Sequence, residues 1–411
     1  MKQVILTVLL GYTVALSAAE RFRTDINPAL LYHQGLLLVP QLSDKDHKHL
    51  FETEWRTKAL DERATSLVTS YRNVLKMLRR AAASQVPCDW GIDMSDGPAT
   101  LLPALARFKS VAHVACLRAR MHLAAGNQEA AREELLATFA MARNISTDGT
   151  MISVLVQIAI ENIVSSFIAE NFYQFPRETL QQFAVRLNSG PPRGSIAQSM
   201  ASEKSTFYDW LLARITEAEA ESAGNERRLH TRVRELWKNN FAESDENADR
   251  MVNEWINATD GSAAGLINYV RQLDGLYYEL TQITGLPLQE YQGRYAAFEE
   301  NVRTNSNVLA RNYFPGIGKA MTREFAIQAK LAMFQAALVY KLQGPDAFNA
   351  IADPFGNGPF TLRRFVLDGV DRGFELESKL NCGEHVEKLI LIEKPGPAVR
   401  VDGKDAGQKI P

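Results

Sequence analysis

Met151-Ile-Ser-Val-Leu-Val-Gln-Ile-Ala-Ile160-Glu-Asn-Ile-Val-Ser-Ser-Phe-Ile-Ala-Glu170-Asn-Phe172 is the stretch on which the fold turns. Apolar side chains fall on nearly every face of the helix this spacing predicts, and such a helix belongs in the middle of a bundle. One carboxylate interrupts the apolar surface. Glu161 has Gln157 one turn earlier and Asn162 beside it. Burial there predicts a raised pKa, the state a general acid requires, whereas pairing with an arginine or a helix-end amide is the structural alternative.

Toward the N-terminus, residues 105–125 and 129–143 read as two helical arms broken at Gly126-Asn127, with Ala131, Leu135, Leu136 and Phe139 as the second arm's inward stripe. Before them, Leu50, Trp55, Leu60, Leu67, Tyr71, Val74, Leu75 and Leu78 keep a helical period over residues 47–83. Residues 87–103, rich in Pro, Gly and acids, form a loop. At the start, Lys2, an apolar run over 4–16 and Ser17-Ala18-Ala19 fit a secretory signal of residues 1–19. No later segment reads as a membrane span. Three cysteines, Cys88, Cys116 and Cys382, leave room for one disulfide, with Cys88–Cys382 the pair to consider and Cys116 a buried apolar residue.

Toward the C-terminus, Gly190-Pro-Pro192 sets a boundary near residue 190. Helical periodicity resumes over 195–210, then a charged amphipathic helix or helix pair spans 217–257. Helices follow at 269–280 and 291–308. Pro315-Gly-Ile-Gly318 interrupts the pattern before a long helix at 321–342. Beyond Gly344-Pro345 the chemistry becomes that of turns and strands: 360–367, a hairpin turn at Asp368-Gly369, 373–377 and 388–393. The expected fold is therefore mainly α, an irregular helical bundle or α-α hairpin array with a small C-terminal antiparallel β-sheet. Its organisation is a signal (1–19), a helical domain (20–190), a second helical region (191–343) and a β module with tail (344–411).

Two local patterns resemble known families. Leu123-Ala-Ala-Gly126-Asn-Gln-Glu-Ala-Ala131 resembles the turn of a tetratricopeptide repeat, in which small residues let two helices approach closely. It covers one repeat. Over 326–378, Ala337-Leu-Val-Tyr-Lys-Leu342, Asp353-Pro-Phe-Gly356, Arg363-Arg364 and Gly373-Phe-Glu-Leu376 resemble the C-terminal module of large exported bacterial proteins of unknown function. The Cys88-Asp-Trp-Gly91 loop and Ala159-Ile-Glu161 are similar to segments of the same proteins. The C-terminal pattern is also similar to the helix-plus-sheet head of type II secretion pseudopilins, whose acidic, calcium-holding tail Asp402-Gly-Lys-Asp405 resembles. The prepilin Gly–Phe motif and its following Glu are missing, and residues 379–397 break the spacing to the tail. The resemblance implies export and architecture, not membership of a pilus.

No HExxH, GxxxxGK[ST] or GxSxG occurs, nor a GxGxxG following a strand. No cofactor is implied. A net charge of −2 offers no field for nucleic acid. The catalytic candidates are Glu161, Glu203 and Asp209, because two carboxylates facing a cleft suit glycoside hydrolysis. Asp89, Asp93 and Asp96 are candidate calcium ligands, although their spacing is not that of an EF-hand. Trp210, Trp237 and Trp255 fall at core positions of amphipathic helices. These features point to an exported helical scaffold or binding protein of the cell envelope, its partner a protein or an envelope polymer. The alternative is a helical hydrolase acting on such a polymer through buried carboxylates.

Overall fold

The computed structural model describes residues 23–401 apart from 53, 101, 103, 104, 242, 243, 382–385, 398 and 400. The expected signal, Cys382 with its pairing to Cys88, and the acidic residues Asp402 and Asp405 lie outside the described residues. The chain is mainly α with a three-stranded antiparallel sheet near its C-terminus.

The quoted stretch forms the helix Met151–Glu170, capped by the Thr150 side chain. Its all-round apolarity has a specific cause, since two cores share it. Val156, Ile160, Val164 and Phe167 enter one core, while Val154 and Ile158 enter another. The expectation of uniform burial is corrected in part: Ile152 is 52% exposed and Leu155 is only half-buried at the edge of the second core. By length and composition this helix also meets the requirement for crossing a membrane, contrary to the sequence reading. Its apolar surface is nevertheless largely spent on protein.

A second shared element is the helix Pro315–Gln343. Ile317, Met321, Phe325 and Ile327 lie in the second core, and Met333, Phe334, Ala337 and Leu338 in the first. The sequence reading took Pro315 as an interruption, yet it opens this helix, since proline at the first position has no intrahelical N–H bond to lose. Gly318 sits inside the helix because a Cβ there would lie 2.5 Å from the Tyr295 ring. Between the two shared helices, Lys330 Nζ donates to Asn162 Oδ1 (2.6 Å) and Ser166 Oγ (2.8 Å).

The first core gathers the helices up to Arg177–Ser189 and the C-terminal sheet, so the β module contributes to the helical body's core. Within it, Leu105–Ala124 and Gln128–Ile145 form the expected hairpin. Gly126 takes φ +73° at the break, and Asn127 Oδ1 accepts from Ala130 N at 3.0 Å to start the second arm. The second core runs from Ile196 to Ala329 with Leu380. Its charged stretch is three helices, Trp210–Ser222, Glu226–Asn240 and Asp245–Asn257, with Trp237 and Trp255 buried. Ahead of them, Lys204–Asp209 winds as a π-helix where a plain helix was expected.

Strands β1 (Thr361–Leu367), β2 (Val370–Asn381) and β3 (Val386–Ile392) lie in the order β1-β2-β3. Asp368 and Gly369 both have positive φ (+51° and +76°), the backbone of a type I′ hairpin turn. Alternation along the strands makes Phe360, Leu362, Phe374 and Leu376 the candidate inward residues. Phe360, Phe374 and Leu376 are buried and Leu362 is half-buried, and the Phe374 ring sits 5.0 Å from Tyr340 on the long helix. In the preceding turn, Asp353-Pro-Phe-Gly356 predicts a buried Phe355 and a positive φ at Gly356, and the structure differs. Phe355 is half-buried, 5.9 Å from Phe325, and positive φ falls on Gly358 instead of Gly356. The buried anchor is Asp353, whose carboxylate accepts from Ser378 Oγ (3.0 Å) and Lys379 N (2.5 Å).

Candidate functional site

Glu161 is fully buried and faces two arginines. Arg143 comes from the hairpin's second helix, and Arg193 from the connector after Gly190-Pro-Pro192. Arg193 Nε approaches both carboxylate oxygens at 3.0 and 2.9 Å, and Arg143 Nε lies 3.4 Å from Oε1. Arg143 Nη1 also donates to the carbonyls of Leu187 (2.8 Å) and Pro191 (3.2 Å). One turn earlier, Gln157 Oε1 accepts from Ser146 Oγ (2.5 Å) and Gly194 N (3.0 Å). Glu324 Oε2 takes Ile196 N at 2.8 Å, and burial raises its carboxyl against the pull of Arg193. The arginine-pairing alternative is thus what the structure displays at Glu161. Hairpin, shared helix and connector are locked together there.

Glu203 and Asp209 take other partners. Glu203 Oε1 accepts from Met151 N (3.0 Å), the first amide of the shared helix, and Tyr313 Oη lies 3.3 Å from Oε2. Burial raises its carboxyl above the ordinary range, opposed by these bonds. Asp209 is 53% exposed and pairs with Lys204 at 3.3 Å. The hydrolase geometry of two carboxylates facing one cleft is not formed by these three residues, and none of them lines the cavities described here.

The acidic loop is held by its own backbone. Asp89 Oδ1 accepts from Gly91 N (3.0 Å), and Asp93 Oδ1 accepts from Ser95 N (2.9 Å). Asn27 pairs with the Asp89 main chain through both ends of its amide, at 2.7 and 3.1 Å. Among the described residues no three His, Cys, Asp or Glu side chains gather as a metal site, so the calcium expectation gains no support. Asp93, Asp96 and Asp148, without Asp89, border a cavity of about 360 Å³ walled by Trp90, Leu105, Phe108 and Ile145. Trp90 is fixed by Nε1 donating to Asn144 O at 2.7 Å and by stacking on Tyr32 at 5.7 Å.

A groove of about 1150 Å³ lies over the hairpin's second helix. Small side chains, Ala81, Ala82, Ala130, Ala137 and Ala140, occupy much of its floor. Arg79, Arg143 and Arg186 line it against a single carboxylate, Glu133. Arg186 Nη1 holds Glu133 Oε1 at 2.6 Å, and burial, which would raise that carboxyl, is outweighed by the bonds from Arg186 and Arg132. Beside the groove, fully buried Glu134 sits 3.1 Å from Arg79 and 3.5 Å from Arg118. The thiol of Cys88, at the groove's end, is pushed up to about 11 by burial, which makes it a poor nucleophile.

The sequence reading missed the arginines of these sites. A legible signal was present, because Arg118 and Arg120 directly follow the apolar run Val114-Ala-Cys-Leu117. No family model matches the chain, and neither the curated proteins nor the solved structures contain a match to it.

Proposed function

We propose that this chain is an exported binding or scaffold protein of the cell envelope that holds an extended, acidic polypeptide segment in the groove over the hairpin. The observation that carries this reading is the groove itself, about 1150 Å³ with three arginines and one glutamate in its lining. Its alanine-rich floor lets a main chain approach closely. Although Arg79, Arg143 and Arg186 each pair with one glutamate of the chain, the N–H donors those pairs leave over suit carboxylate side chains. A polysaccharide strand suits it less. Phe139 is the one aromatic ring among the described lining residues, and it is buried, so sugar faces have no ring to stack on. Export rests on the N-terminal sequence, and the tetratricopeptide-like turn supports a binding role.

The test is a panel of ten-residue peptides of varied charge, scored by fluorescence anisotropy on the purified mature chain. Acidic peptides with apolar residues should bind. Ala130→Trp, at a half-exposed position on the groove floor, should weaken them at least ~10-fold, about 1.4 kcal/mol. Arg186→Glu should act in the same direction. Binding of peptidoglycan or polysaccharide fragments in place of peptides would overturn the partner class. Turnover of such fragments would restore the hydrolase.

A further inference from the structure

Away from the groove, a second cavity of about 490 Å³ lies where the helical body meets the sheet. Arg56, Arg120 and Arg372 line it, and Glu170 is the sole carboxylate among the described lining residues. Glu170 is already engaged, since Arg56 grips it through two bonds, Nε to Oε2 at 2.8 Å and Nη2 to Oε1 at 2.6 Å. Arg120, from the hairpin's first helix, donates through Nη1 to the carbonyl of Trp55. Arg372, from β2, is only 4% exposed and donates to the carbonyls of Lys394 (3.2 Å) and Pro397 (3.1 Å). Carbonyls orient these two guanidinium groups without neutralising them. Among the described residues neither forms an ion pair with a carboxylate.

A cation held out of water without an ion-pair partner is costly. Arg372 is buried, and half-buried Arg120 feels, among carboxylates, only the pull of Glu170, which Arg56 already grips. A site holding both beside an open volume is therefore incomplete as a purely structural device. Each guanidinium has five N–H donors in a planar fork, and these bonds leave donors over. The rest of the wall is polar as well, with Asn171, Tyr173 and Gln174 facing the same space. We propose that this cavity is an anion-binding site that takes an oxyanion group, phosphate or carboxylate, of a small molecule between Arg120 and Arg372. Because one arginine belongs to the helical body and the other to the sheet, the bound anion would tie the two together.

The experiment uses the full mature chain in low-salt buffer, titrated separately with inorganic phosphate and with succinate, and followed by thermal melting and calorimetry. Either anion should raise Tm saturably, by about 3–5 °C at a hundredfold excess over Kd. Phosphate alone acting would assign a phosphoryl ligand, and succinate acting would assign a carboxylate. Arg120→Gln should lower the affinity at least ~10-fold, while Arg186→Gln, in the groove, should leave it unchanged. A D402N/D405N variant repeats the titration with competing carboxylates of the chain's own tail removed. The proposal is overturned if neither anion binds in either background. It also falls if chloride at equal ionic strength gives the same rise, or if Arg120→Gln responds as the parent does.

Discussion

Two groups of buried arginines hold junctions in this molecule, and they are balanced differently. At Glu161 two arginines meet a carboxylate in hydrogen-bonding range, and Glu324 adds a second carboxylate close enough for Arg193 to act on it. At the junction of body and sheet, three arginines meet one carboxylate, and that one is taken. Charge matched by carboxylates in hydrogen-bonding range reads as architecture, even with Arg193 Nη2 left without a partner among the described residues. Unbalanced charge beside an open volume asks for a partner. Burial alone, which first drew attention to Glu161, does not separate the two cases. The count of opposite charges does.

The largest expected effect lies on the balanced side. Glu161→Ala leaves Arg143 and Arg193 buried without their shared anion, so urea unfolding should show a loss of about 3–5 kcal/mol. A loss under ~1 kcal/mol would mean that solvent already screens the cluster, and the contrast between the two groups would disappear.

What was legible in the sequence follows from the same distinction between local and distant chemistry. Gly126-Asn127 and Asp368-Gly369 announce their turns because the required φ values and caps are set by the residues themselves. Met151–Glu170 announces its centrality because apolarity on opposite faces has only one soluble use. The second role of that helix, joining two cores, was hidden because periodicity says that a face is buried but not against what. The start of the long helix at Pro315 was misread because proline's effect depends on whether it falls first or later in a helix. Glu161 and Arg193 meet across 32 positions, and Arg120 and Arg372 meet only through the sheet's packing. No spacing rule reaches such pairs. Among the candidate acids, the sequence could locate an unusual carboxylate but not supply its counter-charge.

A smaller effect is expected on the unbalanced side. In anion-free buffer, Arg120→Gln removes a cation that no carboxylate bonds directly, Glu170 being held by Arg56, and one bond to the Trp55 carbonyl, two losses of opposite sign. Its unfolding free energy should stay within about 1 kcal/mol of the parent. A loss as large as that of Glu161→Ala would show that Arg120 has a tight anionic partner within the chain, and the distinction drawn here would break.

Glu134 offers the finest discrimination, because it combines features of both groups. It lies between Arg79 and Arg118, as Glu161 lies between its two arginines, with no side-chain exposure. Yet neither of its oxygens takes a hydrogen bond from a described residue, and burial raises its carboxyl above the ordinary 4.5 despite both arginines. Between 4.5 and the raised folded value, the folded chain holds this proton more often than the unfolded chain does. Stability contributed at this site is therefore present at low pH and falls as pH rises through that window. A glutamine does not titrate. Glu134→Gln should match the parent near pH 4 and gain on it as pH rises, levelling off above the folded value, by an amount smaller than either change above. Urea unfolding at a series of pH values reads the difference directly. If the variant instead loses stability with rising pH, Glu134 is ionised and well paired in the folded chain. Proximity of two arginines would then suffice for a stabilising pair without hydrogen-bond geometry.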